Sequence, residues 1–255
     1  MRRSLQNKTV LVTREKSQAA KFSSLIKQAS GNPIEVPLLS IRCREKNKQT
    51  RKKLSNFKWI FFTSAHGVHC FFNTFPNNEY NKNIEFATVG HKTETALKEY
   101  GYEATFIPST YNADVMAKEF FELYPDANHI LLVRGNLSRK LLVEEFTRRN
   151  LAFESIIVYD TFSYLEQKDT LLQVLKTSRI DFLTFTSPST VRTFIELTKD
   201  LPFLDKIRTI PCVCIGTTTE KEALHYQFTT TIVPNMFTIE KMVESMIEFI
   251  YTEGS

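Results

Sequence analysis

The residues best suited to chemistry in this chain are serines, threonines and glycines, and they come in pairs. Ser64 and Ser187 each follow Phe-Thr at the end of an apolar run, while Gly90 and Gly216 end two other runs, with Thr93 and Thr219 three residues on. A serine at such a corner accepts a bond from the first turn of the next helix, whose leading N–H groups have no intrahelical partners. Amides and hydroxyls so arranged hold carboxylates or phosphates without a formal cation. Helix capping alone explains any single corner. Four corners at matching positions point instead to a shared, anion-binding cleft, with Arg14 and Arg134, at two further strand ends, as candidate cations.

Other chemistries lack their residues. The chain has no nucleophile elbow, no paired carboxylates at strand ends, no G-x-G-x-x-G run and no Walker sequence. His66, His69 and Cys70 share one early helix at metal-compatible spacing, yet no third ligand is identifiable, so no metal or other cofactor is expected. His66 reads as a residue near the cleft and Cys70 as packed inside. Cys212 and Cys214 alternate on a strand and read as core. None of the four cysteines forms a CxxC pair, and all are read as reduced. The basic stretch Arg42, Arg44, Lys46, Lys48, Arg51, Lys52 and Lys53 lacks interleaved aromatics and reads as a solvated linker, not a nucleic-acid surface.

The elements that must carry these corners also recur. Thr9-Val10-Leu11-Val12-Thr13 leads into an amphipathic helix that Gly31 is expected to cap, and Ile130-Leu131-Leu132-Val133-Arg134 opens a second such unit. The strand-to-helix run Trp59 to Val68 parallels Asp181 to Val191, the run Ala87 to Glu94 parallels Val213 to Glu220, and Pro108 corresponds to Pro234. The offset is about 120 to 126 residues throughout, the length of a duplicated domain and not of a solenoid repeat. Apolar strands alternating with helices imply parallel sheets covered on both faces. The expected fold is therefore α/β, with two doubly wound parallel-sheet lobes joined by a two-stranded connector and a cleft between them. The expected organisation is one lobe from residues 1–35 and 163–255, connectors at 36–42 and 157–162, and a second lobe at 43–156.

Composition sets the outer bounds. The 255 residues are 42% hydrophobic and 24% charged, with 21 Phe, which is material for a large core. A net charge of +5 favours an anionic partner but falls short of a dedicated nucleic-acid binder. No apolar run approaches the ~20 residues of a membrane span, and Met1-Arg2-Arg3 is followed by polar residues, so a cytoplasmic protein is expected.

Taken in order, the motifs Val10-Leu11-Val12-Thr13-Arg14, Phe62-Thr63-Ser64 with Gly67, Val89-Gly90 with Thr93, Val158-Tyr159, Phe185-Thr186-Ser187-Pro188-Ser189 and Ile215-Gly216-Thr217-Thr218-Thr219 resemble the uroporphyrinogen-III synthase family. The resemblance covers almost the whole chain. It implies a monomeric cytosolic lyase of haem biosynthesis that closes hydroxymethylbilane, a linear tetrapyrrole with many carboxylates, to uroporphyrinogen III with ring D inverted and water lost. It further implies that Thr63, Ser64, Gly67, Gly90, Thr93, Ser187, Ser189, Gly216, Thr217, Thr218 and Thr219 hold carboxylates, with Arg14 and Arg134 assisting. Tyr159, matching the family's connector tyrosine, becomes the candidate general acid. Two positions depart from the family: Thr217 stands where proline is common, and Asn112 where threonine is. A non-catalytic two-lobed binding or regulatory protein for an anionic small molecule is the alternative.

Overall fold

Short apolar strands with polar ends make sheets that bury both faces, and this chain is built from such strands. The computed structural model describes residues 4–45, 54–75, 83–110 and 113–253; Asn112 and the basic residues from Lys46 to Lys53 lie outside them. The chain begins with β1 (Thr9–Val12), α1 (Lys16–Gln28), β2 (Asn32–Glu35) and β3 (Leu39–Cys43). There follow β4 (Trp59–Phe62), α2 (Ala65–Thr74), β5 (Glu85–Thr88), α3 (His91–Lys98), α4 (Ala113–Leu123), β6 (Ile130–Gly135), α5 (Leu141–Arg148) and β7 (Phe153–Ser163). The remaining elements are α6 (Lys168–Thr177), β8 (Phe182–Phe185), α7 (Pro188–Thr198), α8 (Leu204–Arg208), β9 (Cys212–Cys214), α9 (Thr217–His225), β10 (Thr231–Ile232) and α10 (Ile239–Glu253).

These form two five-stranded sheets, ordered β10-β9-β8-β1-β2 and β3-β7-β6-β4-β5. The chain divides into two units accordingly, one from residues 1–40 and 162–255, the other from 41–161. The pairs β1 with β2 and β8, β8 with β9 and β9 with β10 are parallel, as are β4 with β5 and β6 and β6 with β7. Unit 1 thus draws its sheet from both ends of the chain.

Alternation along the strands feeds a core on each face. In unit 1, Leu11, Leu183, Phe185, Cys212 and Cys214 pack toward α6 to α9, while Val10, Val12, Phe182 and Val213 pack toward α1 and α10. In unit 2, Ile60, Phe62, Leu131 and Val133 face α2 and α3, and Trp59, Phe61, Ile130 and Leu132 face α4 and α5. Much of the phenylalanine content lies in unit 2, where Phe61 meets Phe120 edge-on at 4.7 Å and Phe146 at 5.4 Å.

Two expectations are corrected. The left-handed residue ending α1 is Ser30 (φ 65°), not Gly31, and the Gly31 N–H reaches back to the Ile26 carbonyl at 2.9 Å. Gly31 is required instead by closeness, because a Cβ there would lie 2.8 Å from the Ile26 side chain. Nor are all four cysteines reduced. Cys43 at the end of β3 and Cys70 on α2 form a disulfide across 27 residues, since the fold brings their Cα atoms within 5.2 Å. That pairing is tertiary and leaves no local spacing motif. Cys212 and Cys214 are free and buried, with sulfurs 3.6 Å apart. Burial pushes the Cys212 thiol well above its usual pKa, with Cys214 adding to the shift. Among the described residues no helix is long and apolar enough to cross a membrane.

Candidate functional site

Parallel strands deliver their carboxyl ends to one edge of a sheet, where the following helices start, and most of the candidate residues stand at such an edge. In unit 2, Ser64 lies between β4 and α2 in extended geometry (φ −164°, ψ 154°). Its Oγ accepts the Gly67 N–H at 3.0 Å and its carbonyl accepts the Val68 N–H. The same Oγ lies 3.0 Å from the hydroxyl of Tyr159 on β7. Tyr159 is only 8% exposed, its ring between Gly67, Gly135 and the tilted ring of His66. Beside them, Thr63 donates to the Val133 carbonyl at 3.3 Å.

Gly90 caps α3 through its backbone alone, its carbonyl accepting the N–H groups of Thr93 and Glu94. Thr93 is buried, 4% exposed, which corrects the expectation of an open hydroxyl there. Gly216 behaves alike at α9: its carbonyl accepts from Thr219 and Glu220, and Thr219 is 1% exposed. The capping geometry turns the third helical residue inward, so Thr217 and Thr218 are the exposed hydroxyls of that corner.

Ser187, before α7, repeats the Ser64 backbone but closes on its own turn. Its Oγ accepts the Thr190 N–H at 3.2 Å, while the Thr190 hydroxyl accepts the Ser187 N–H, a complete capping box. Ser189 accepts from Arg192 at 3.4 Å, and Arg192 also pairs with Glu222. Below this rim, buried hydroxyls lace β1 to β8: Thr13 donates to the Thr184 carbonyl at 2.5 Å and Thr184 to the Leu11 carbonyl at 2.8 Å.

The two arginines differ. Arg14, just beyond β1, donates through Nε to Gln18 at 2.8 Å, and its Nη1 is buried without a hydrogen-bond partner among the described residues. Burial lowers its pKa against the raising influence of Glu15 and Glu240. Arg134 instead turns along the sheet to donate to Ser155 at 2.8 Å and does not join the Ser64 corner. On the helix face that carries His66, His69 and Cys70, Cys70 is in the disulfide and His69 Nδ1 lies 3.3 Å from the Tyr100 hydroxyl.

One rim residue escaped the sequence reading. Phe237, 59% exposed, covers Gly216 so closely that a Cβ on the glycine would lie 3.2 Å from the ring. Its only signal was an apolar Met236-Phe237 pair in an otherwise polar turn after Pro234.

Residues 20–244 match the family model described as uroporphyrinogen-III synthase HemD. The chain is 26% identical over 255 residues to a porphyrin biosynthesis protein HemD of Ruminiclostridium josui, covering 97% of this chain but only 50% of that protein's length. It is 28% identical over 236 residues to a uroporphyrinogen-III synthase of Chlorobaculum parvum, covering 90% and 94% of the two chains. A uroporphyrinogen III synthase structure from Thermus thermophilus aligns with a TM-score of 0.65 at 15% identity, over 96% of this chain and 99% of that one. The corresponding Helicobacter pylori structure gives 0.64 at 18%, over 95% and 99%. At such identities the structural likeness speaks for the fold, and the family match speaks for descent: this chain belongs to the uroporphyrinogen-III synthase family.

Proposed function

We propose that this protein is a uroporphyrinogen-III synthase, a lyase of tetrapyrrole biosynthesis acting as a cytoplasmic monomer without a cofactor. It takes hydroxymethylbilane, inverts ring D and closes the macrocycle with loss of water. Beyond family membership, the observation that carries this reading is the Tyr159 hydroxyl held 3.0 Å from Ser64 Oγ at the start of α2.

The unguided substrate closes to the wrong isomer, so the catalyst's task is chiefly one of geometry. Proximity and orientation supply roughly 7 to 11 kcal/mol of a barrier when the reacting atoms are well placed. Substrate carboxylates are held at the helix starts by Thr63, Ser64, Gly67, Gly90, Ser187, Ser189, Gly216, Thr217 and Thr218. Backbone N–H groups serve at Thr93 and Thr219, whose side chains are buried. Arg14 contributes its unpartnered Nη1, and Arg134 contributes charge from the neighbouring strand end. Tyr159 gives its phenolic proton to the departing hydroxyl, which leaves as water, and Ser64 orients the phenol. General acid help of this kind is worth roughly 10²- to 10⁴-fold.

The architecture supports an internal duplication. β2-β1-β8-β9 in unit 1 and β7-β6-β4-β5 in unit 2 follow the same strand order. The two lobes are accordingly assigned to residues 1–35 with 163–255 and to 43–156, with connectors at 36–42 and 157–162.

The test is to generate hydroxymethylbilane in situ, add the protein, oxidise the products and measure the ratio of isomer III to isomer I. Isomer III should dominate, and Tyr159→Phe should lower the rate by at least tenfold. A mixture still dominated by isomer I with the wild-type protein would remove the reading and restore that of an anion-binding module.

A further inference from the structure

We propose that Gly135 and Asn136 are positioning residues that aim Tyr159 at Ser64; this rests on the role given above to Tyr159. β7 runs beside β6 in regular register until Arg134 opposite Ile157, after which Gly135 stands opposite Tyr159 and Val158 has no counterpart. In a regular strand consecutive side chains point to opposite faces. Here Ile156, Val158 and Tyr159 all pack in one cluster, on the α2 side of the sheet. The extra residue is a bulge, a device that re-aims a side chain, and it turns Tyr159 toward Ser64.

Asn136 holds the bulge open. β6 ends at Gly135, yet the Asn136 N–H still donates to the Tyr159 carbonyl at 3.1 Å. Its side-chain carbonyl accepts the Thr161 N–H at 2.8 Å, and its amide donates to the Thr161 carbonyl at 3.4 Å. The side chain thus supplies one more rung of sheet, beyond the bulge, where the backbone of β6 no longer does. Ser138 fixes the preceding residue by accepting the Gly135 N–H at 3.0 Å.

Gly135 then leaves room for the ring. A Cβ at this position would lie 2.4 Å from both Cε2 and Cζ of Tyr159 and 2.8 Å from its hydroxyl oxygen. Nothing larger than hydrogen fits, and a methyl group must push the phenol off its line to Ser64. On the other side of the ring, a Cβ at Gly67 would lie 3.9 Å from Cε1, an ordinary contact. The ring is therefore set by Gly135 and merely accompanied by Gly67.

The experiment places 3-fluorotyrosine at position 159 and records its ¹⁹F resonance alongside the isomer-III assay. Gly135→Ala should shift the resonance and lower kcat at least tenfold, toward the Tyr159→Phe level, with KM changing less than twofold. In a Tyr159→Phe background it should cost little more, because both changes remove one interaction. If Gly135→Ala does not fold, Asn136→Ala carries the test, with Asn136→Asp, which keeps an acceptor for the Thr161 N–H, recovering part of the signal and rate. An unmoved resonance in the folded variants, or a fully additive loss in the double variant, overturns the positioning role. Full activity of Tyr159→Phe would instead remove the catalytic role of the phenol, leaving the resonance alone to judge its placement.

Discussion

Ser64 and Ser187 adopt the same backbone shape, φ −164° and ψ 154° against φ −163° and ψ 157°, but their hydroxyls are engaged differently. Ser187 is enclosed in a reciprocal box with Thr190, above strands tied by the buried Thr13 and Thr184 bonds. Ser64 caps one N–H and then reaches a tyrosine ninety-five residues away, above strands joined by the longer Thr63 bond. Unit 1 satisfies its Ser187 corner from within. Unit 2 leaves a polar atom coupled to a phenol, and the difference separates a corner closed on its own turn from the one to which the proposed proton transfer is assigned.

The disulfide offers the hardest way to break this comparison, because it staples unit 2 alone. Reduction, or Cys43→Ser with Cys70→Ser, should cost about 3 kcal/mol in urea unfolding for a loop of this size. Hydrogen exchange should quicken in α2 while α7 keeps its protection; equal loosening of both would refute the separation. Next in size, Thr184→Val should destabilise by about 1 to 3 kcal/mol, since it deletes a buried hydroxyl bond. Thr63→Val should cost less than half as much, its bond being longer and part-buried. Similar costs at the two sites would mean the rims are built alike.

The serine pair sharpens the contrast. Ser64→Ala and Ser187→Ala should each lose about 1 kcal/mol of capping, read by thermal unfolding. Ser64→Ala should also lower kcat severalfold, while Ser187→Ala should act through KM; a kcat loss of equal size in both would erase the distinction. The smallest effect concerns Cys212 and Cys214, buried in unit 1 with the Cys212 thiol held in its protonated form by burial. They should stay inert to a thiol-reactive dye until the protein unfolds, whatever the redox state of unit 2. Rapid labelling of the native protein would show that this core breathes.

Much of this was legible because it is local. Phe-Thr-Ser before a helix names a cap, and the apolar run before it names a strand buried on both faces, so the layered α/β fold and the corners at Ser64, Ser187, Gly90 and Gly216 could be read directly. What stayed hidden depends on distant partners. The side-chain directions of Thr93 and Thr219 follow from helix phase against the core, and Cys43 meets Cys70 only once β3 and α2 are in place. Phe237 lies over Gly216 because the turn after β10 folds back. Tyr159 was found by resemblance, not by pattern: β7 carries two buried residues in succession, and period-two reading has no place for that.

That succession has a consequence for how such a protein can be varied. Between Arg134 and Gly135 on one strand, and between Ile157 and Tyr159 on the other, the information is a count of residues and not a choice of them. Inserting one residue between Val158 and Tyr159 would leave every side chain chemically intact and still send the phenol toward α4 and α5. A scan of substitutions would never expose this; a ladder of single-residue deletions and insertions along β7 would, with the phenol facing the right way in one reading frame and lost in the next.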